Sequence, residues 1–88
     1  MKVEFQKLSY QELKQALKEL ASVYKIEILE ELMIAEANVF LCRYNGKRFN
    51  VYFDLAYGPE IKAVEGVAKD ELMQIETMIC TFNFRNST

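Results

Sequence analysis

Histidine is absent from the 88 residues of the chain, and this absence removes several kinds of active site. A Ser-His-Asp triad, a Cys-His pair and every histidine metal site need an imidazole. Glycine occurs only three times, at spacings that suit turns, so no glycine-rich loop is present to hold a phosphate. We therefore expect no catalytic site, no cofactor and no metal.

A strong excess of one charge and a long hydrophobic run are also lacking. Eleven basic and thirteen acidic residues give a formal net charge of −2, which argues against binding to nucleic acid phosphates without excluding a local basic patch. Every uncharged apolar run is far shorter than the roughly 18 residues that span a bilayer. The N-terminal residues also lack the pattern of a signal peptide. We expect a cytoplasmic protein with no membrane partner.

Cysteine is scarce, and both copies, Cys42 and Cys80, lie within apolar patterns. Buried thiols in a reducing cytoplasm are the favoured interpretation, and a disulfide between the two is the alternative. A nucleophilic thiol needs a cationic and partly exposed setting. Neither cysteine has one, because Cys42 is predicted to face the core and Cys80 to lie near the end of a helix.

Hydrophobic residues make up 51% of the chain and charged residues 27%, which excludes intrinsic disorder. A chain of this length forms one domain, because each of two domains would be too small to support its own core. With one proline and three glycines, the chain is also unlike collagen or a linker. We therefore assign residues 1–88 to a single domain, with a frayed tail over residues 83–88.

The clearest helix signal begins at Ser9, which has the spacing of a capping box with Glu12. Leu8 and Leu13 flank this cap at the spacing of a hydrophobic staple. The apolar stripe predicts a helix that ends near residues 23–24, and it consists of Leu13, Ala16, Leu17, Leu20 and Tyr24. Alternation over residues 2–7 predicts a short strand before the helix.

The strongest tertiary signal is Asn45-Gly46 between two alternating segments, which predicts a hairpin with a two-residue type I′ turn. This turn sets Arg43 opposite Arg48 and Tyr44 opposite Lys47. The predicted core face carries Phe40, Cys42, Phe49, Val51, Phe53 and Leu55. The opposite face carries Val39, Leu41, Arg43, Arg48, Asn50, Tyr52 and Asp54.

The remaining segments complete an α+β fold. Residues 25–34 predict a strand with a bulge near Leu29 and Glu30, followed by a turn over residues 35–38. Gly58-Pro59 predicts the end of the hairpin strand, and residues 61–64 a short edge strand. A second helix begins near Val67 or Asp70 and ends at Phe82, with an apolar stripe of Leu72, Ile75, Ile79 and Phe82.

The fold class is therefore a small, largely antiparallel sheet of three to five strands with two helices packed on one face, in the order (β)αβββ(β)α. The order helix, three strands, helix resembles that of the double-stranded-RNA-binding domain. Such domains grip phosphates with a basic cluster at the start of their second helix. Residues 66–71 hold one lysine and two acids at that position, so the phosphate-binding chemistry is missing.

Two clusters of charge deserve a functional interpretation. The first, Glu27, Glu30, Glu31 and Glu36, lacks the spacing of a calcium loop and shows no sign of the burial that an acid–base pair needs. We interpret it as a solvated strand edge. The second is the hairpin tip, where the Arg43–Arg48 pair breaks the rule against like charges on paired strands.

Two interpretations of the tip stay open. Its cations are neutralised by Glu27, Glu31 or Asp54, or they belong to a contact site, since arginine and tyrosine are common interface anchors. The candidate contact residues are Leu41, Arg43, Tyr44, Lys47, Arg48 and Tyr52. The contact argument requires that no helix covers the face of Leu41 and Tyr52.

The sequence thus predicts a non-catalytic protein-binding module, such as a small inhibitor, regulator or immunity-type protein. The expected partner is a protein, with a second copy of the chain (a homodimer) among the candidates. The alternative is a nucleic-acid-binding domain that uses Arg43, Lys47 and Arg48, with Tyr44 and Tyr52 as stacking groups.

Overall fold

The computed structural model describes residues 4–23 and 25–86 and, within them, every side chain except those of residues 65 and 83–86. A short 3-10 helix, Phe5–Lys7, precedes helix α1, Tyr10–Ser22. Strands β1 (Glu27–Ile34), β2 (Ala37–Tyr44), β3 (Lys47–Asp54) and β4 (Gly58–Glu65) follow, and helix α2, Lys69–Asn86, comes last. The strands form one antiparallel sheet in the order β1-β2-β3-β4, which confirms the predicted α+β class.

The β2–β3 hairpin has the predicted turn and register. Asn45 and Gly46 have φ values of 52° and 77°, as a type I′ turn requires. Tyr44 pairs with Lys47, and Arg43 pairs with Arg48. The local chemistry of the turn therefore fixes the facial assignment of both strands.

Helix α1 begins with the predicted capping box. The Glu12 N–H donates to Ser9 Oγ at 3.2 Å, and the Ser9 N–H donates to Glu12 Oε1 at 2.8 Å. The helix ends at Ser22, with Val23 as its C-cap, whereas Tyr24 of the predicted stripe lies outside the described residues. Four residues of the stripe are buried: Leu13, Ala16, Leu17 and Leu20.

Both helices pack on the predicted core face of the sheet. The buried cluster joins α1 and α2 to this face through Leu13, Leu17, Ile75, Ile79, Phe40, Cys42, Phe49 and Val51. Tyr10 of α1 stacks on Phe40 with 6.1 Å between the ring centroids and meets Phe53 edge-on. The bulge in β1 is confirmed between Ile28 and Glu30, where the pairing with β2 shifts by one residue.

The predicted strand over residues 2–7 is wrong where it is described, because residues 5–7 form the 3-10 helix; residues 2–3 lie outside the described residues. Phe5 and Leu8 are both buried. A 3-10 turn places residues three apart on the same side, so this turn buries both side chains where a strand would separate them.

Strand β4 is longer than the predicted edge strand, because Gly58-Pro59 begins it; the hairpin strand β3, predicted to end at Gly58-Pro59, already ends at Asp54. Pro59 pairs opposite Phe53. Proline is accepted there because β4 is an edge strand, whose outward side needs no amide donor. Leu55, predicted on the core face, lies in the β3–β4 turn and is 75% exposed.

The predicted end of the second helix at Phe82 is also wrong, because α2 continues to Asn86. Of the tail predicted to fray, residues 83–86 belong to α2, and residues 87–88 lie outside the described residues. The fourth strand also separates this fold from the order helix, three strands, helix. Within the described residues, neither helix combines the length and the apolar character that crossing a membrane requires.

Candidate functional site

The sheet face opposite the helices, here called the outer face, consists of four cross-strand rows. The rows follow from the strand pairing and read, from β1 towards β4, Glu27-Arg43-Arg48, Glu30-Leu41-Asn50-Lys62, Leu32-Val39-Tyr52-Glu60 and Ile34-Ala37-Asp54-Gly58. Neither α1 nor α2 packs on this face, because both join the cluster on the other side. The condition for a contact site at Leu41 and Tyr52 is therefore met.

The centre of the outer face is apolar. Val39 is only 3% exposed although it does not belong to the core cluster, so its neighbours on the outer face enclose it. Leu41 and Tyr52 beside it are half-buried, while Leu32 and Ile34 at the β1 edge are 38% and 50% exposed. This apolar strip runs from the edge strand to the middle of the sheet.

Polar atoms beside this strip are buried but unpaired. Arg43 Nε, Arg48 Nε and Asn50 Oδ1 have no hydrogen-bond partner among the described residues. The nearest carboxylate to Arg43 is that of Glu27, whose Oε1 lies 3.9 Å from Arg43 Nε, too far for a hydrogen bond. A buried N–H without an acceptor is costly, so two arginines in this state are a local source of instability.

The other two carboxylates that were expected to neutralise the arginines are engaged elsewhere. Glu31 lies on the helix side of the sheet, where it accepts a hydrogen bond from Tyr10 and forms a 3.6 Å ion pair with Lys14. Asp54 Oδ1 accepts the backbone N–H groups of Ala56 and Tyr57 at 2.7 and 3.0 Å. Of the predicted neutralising groups, only Glu27 approaches an arginine, and it does so at long range.

The six candidate contact residues divide between two sides of the sheet. Leu41, Arg43, Arg48 and Tyr52 lie on the outer face, as the hairpin register predicts. Tyr44 and Lys47 lie on the helix side instead, where Tyr44 Oη donates to Gln74 Oε1 at 3.3 Å and Lys47 Nζ lies 2.9 Å from Glu71 Oε1. These two residues anchor α2 to the hairpin tip.

The contact between Lys47 and Glu71 affects the ionisation of the Glu71 carboxyl group. The hydrogen bond from Lys47 lowers the pKa of the Glu71 carboxyl, and the Ala68 N–H, which donates to the same Oε1 at 3.1 Å, lowers this pKa further. Glu71 therefore joins the start of α2 to the tip of the β2–β3 hairpin. The charge of Lys47 is compensated within the protein.

A depression of about 490 Å³ opens at the β4 end of the outer face. Tyr52, Asp54, Tyr57, Glu60 and Lys62 line it, together with Gln6, Ala37, Gly58 and Pro59. Lys62 Nζ lies 5.2 Å from the centre of the Tyr52 ring and 3.3 Å from Glu60 Oε1. Glu60 and Lys62 are not among the predicted contact residues. Glu60 lies before the predicted edge strand over residues 61–64, and Lys62 lies within it, but the sequence does not specify how that strand pairs with β3.

The cysteines are present as thiols. Burial raises the pKa of the Cys42 thiol to about 12, so this thiol is protonated at neutral pH. This setting is the opposite of the one that activates a nucleophilic cysteine. Among the described residues, no three carboxylate or cysteine side chains form a group able to hold a metal ion.

In comparisons with known proteins, no protein-family model, curated protein or solved structure matches the chain.

Proposed function

We propose that this protein is a non-catalytic binding module that contacts a protein partner through its outer face. The observation that carries the proposal is the buried, unpaired Nε of Arg43 and Arg48 beside the apolar strip of Leu32, Ile34 and Leu41, which neither α1 nor α2 covers. Such a combination has the composition of an interface, in which apolar residues form the middle and arginines serve as anchors.

The unpaired atoms make binding favourable for a physical reason. A buried donor without an acceptor costs roughly 1–3 kcal/mol in the free protein. When the side chain of Arg43 or Arg48 turns to expose this N–H, a carboxylate or carbonyl oxygen of a partner removes that cost and gains a charge-assisted hydrogen bond. The free state therefore carries a penalty that the bound state relieves.

The biological role that we propose is that of a small inhibitor, regulator or immunity-type protein. Proteins of this kind act through their surface and need no reactive group of their own. We place the protein in the cytoplasm, where the thiols of Cys42 and Cys80 stay reduced.

Nucleic acid is less well supported as the partner than protein. The proposed basic tip needs Lys47 as a phosphate contact and Tyr44 as a stacking group, but both are bonded to α2. Arg43 and Arg48 also share their row with Glu27, and Lys62 lies beside Glu60, so the outer face carries mixed charge. A phosphate-binding groove requires a continuous basic track.

Affinity capture from the native host followed by mass spectrometry tests the proposal. The variant that combines Arg43→Ser and Arg48→Ser should lose the captured protein, whereas wild type retains it. The matched control combines Lys18→Ser and Lys69→Ser, which remove the same charge at exposed positions on α1 and α2, away from the outer face. Equal capture by the two double variants contradicts the proposal, and capture of nucleic acid that weakens steeply with salt favours the alternative.

A further inference from the structure

We infer that the occupant of the outer face is a second copy of this chain, docked sheet against sheet around a two-fold axis that runs across the strands. The inference rests on the proposed function, since it names the partner of the same face. It is argued from the charge pattern of the four rows and from the area of the face.

A two-fold axis in the plane between two sheets has two simple orientations. An axis across the strands sets the first row of one copy over the fourth row of the other, and the second row over the third, with each strand over its own equivalent. An axis along the strands keeps the rows and exchanges β2 with β3. The charges of the outer face discriminate between these orientations.

The axis along the strands is unfavourable because it sets Arg43 over Arg48 of the second copy. The axis across the strands sets Arg48 over Asp54 and Lys62 over Glu60, with each pair formed twice by symmetry. No position in this arrangement faces a charge of the same sign. The outer face is therefore complementary to itself in one orientation only.

The apolar centre fits the same orientation. The half-buried Leu41 lies over the position of Val39 in the second copy, so it meets an apolar part of that face. Val39 is only 3% exposed in the single chain, so Leu41 supplies most of the contact. Glu30 lies over Leu32, where its carboxylate remains at the rim of the sheet. Sheets that pack in this way lie about 10 Å apart, with their strands turned by about 30°.

The Arg48–Asp54 contact also brings a carboxylate to Arg48, whose Nε is unpaired in the single chain. Asp54 uses Oδ1 for the two N–H groups of its own turn, and its side chain lines the depression at the end of β4. Its second oxygen accepts no hydrogen bond among the described residues, so it can accept one from the Arg48 guanidinium of the other copy in the docked pair. The interface supplies an acceptor for a donor that has none in the single chain.

The area is sufficient for a reversible dimer. Four strands about 4.8 Å apart, with about 3.3 Å per residue along eight residues, give a face of about 19 by 26 Å. Two such faces bury about 1,000 Å², which is at the lower end of specific interfaces. We therefore expect a dimer that dissociates on dilution.

Sedimentation equilibrium from about 5 to about 500 µM protein tests the inference. Wild type should change from monomer to dimer within this range. Lys62→Glu and Glu60→Lys, at exposed positions, should each weaken the dimer about tenfold or more, because like charges then meet twice. Leu41→Lys should abolish it, whereas Lys18→Glu on α1 should leave it unchanged.

The decisive sample is an equimolar mixture of the Lys62→Glu and Glu60→Lys variants. In the mixed pair each carboxylate faces an ammonium group again, so the mixture should dimerise like wild type and contain both chains. Circular dichroism confirms that the variants are folded.

A wild type that is monomeric at about 500 µM overturns the inference. So does a dimer that tolerates Leu41→Lys, because such a dimer uses another surface, for example the β1 edge. Neither result contradicts the proposed function, which the capture experiment tests separately. If the double arginine variant fails to capture a protein that wild type captures, that protein is the occupant of the outer face.

Discussion

Arg43 and Arg48 face each other across the β2–β3 hairpin, and the Nε of each is buried without a hydrogen-bond partner among the described residues. Like charges on directly paired strands repel, and the 3.9 Å contact of Arg43 with Glu27 offers little compensation between partly exposed side chains. The pair therefore costs stability in the free protein. An interaction that the single chain does not make would offset this cost.

Replacing Arg43 and Arg48 together with serine should leave the free energy of unfolding unchanged or slightly higher, because the repulsion disappears. Binding to the partner should weaken by about 2 kcal/mol or more, roughly 30-fold, if either arginine anchors the interface. Urea denaturation measures the first quantity and titration calorimetry the second. A clear loss of stability with unchanged binding indicates that the arginines support the fold.

Ser9→Ala should lower the free energy of unfolding by about 1 kcal/mol, because the Glu12 N–H loses its acceptor in the capping box. Ser9→Asp should retain most of the stability, since a carboxylate also caps a helix N-terminus. Ser22→Ala, in the last turn of the same helix, is the control and should change little. If thermal denaturation shows a larger loss of stability for Ser22→Ala than for Ser9→Ala, the result contradicts the role of Ser9 as the N-cap of α1.

The features that the sequence predicted correctly depend on local chemistry. Asn45-Gly46 determines its turn and the hairpin register within a few residues, and Ser9 with Glu12 determines the start of α1. Pro59 was misread because its acceptance in β4 depends on that strand being at the edge of the sheet. The sequence predicts an edge strand only over residues 61–64; that this strand begins at Gly58 depends on the assembled sheet.

The candidate site was predictable to the same extent. The positions of Arg43 and Arg48 on one face follow from the turn. The contacts of Tyr44 and Lys47 were not predictable, because they depend on how α2 lies across the hairpin tip. Gln74 lies 30 residues after Tyr44, and Glu71 lies 24 residues after Lys47. Periodicity within each element does not specify contacts between residues so far apart in the chain.

Gly58→Ala should destabilise the fold more than Gly46→Ala. Both glycines have positive φ, 83° and 77°, so alanine is strained at either position by about 1–2 kcal/mol. A Cβ at position 58 would also lie 3.3 Å from the backbone oxygen of Gln6, whereas a Cβ at position 46 meets nothing within 4 Å. Urea denaturation compares the two, and equal losses indicate that the 3-10 helix segment yields to the added methyl group.

Glu71→Gln should lower the melting temperature at pH 7 and have a much smaller effect near pH 3. The hydrogen bonds from Lys47 and Ala68 lower the pKa of Glu71 in the folded protein below its unfolded value of about 4.3. A lowered folded-state pKa means that this stabilisation is fully present above the unfolded pKa and disappears as the pH falls through the folded pKa. The variant and wild type should therefore converge in acid.

Two controls separate this contact from the general effect of charge at a helix N-terminus. Asp70→Asn removes a carboxylate from the same first turn of α2 but leaves the Lys47–Glu71 contact in place, so its loss at pH 7 should be smaller. Lys47→Met should remove most of the additional effect of Glu71→Gln when the two are combined, since both delete one interaction. Additive losses at pH 7, or a difference between Glu71→Gln and wild type that persists undiminished at pH 3, show that Glu71 does not hold α2 to the hairpin tip through its charge.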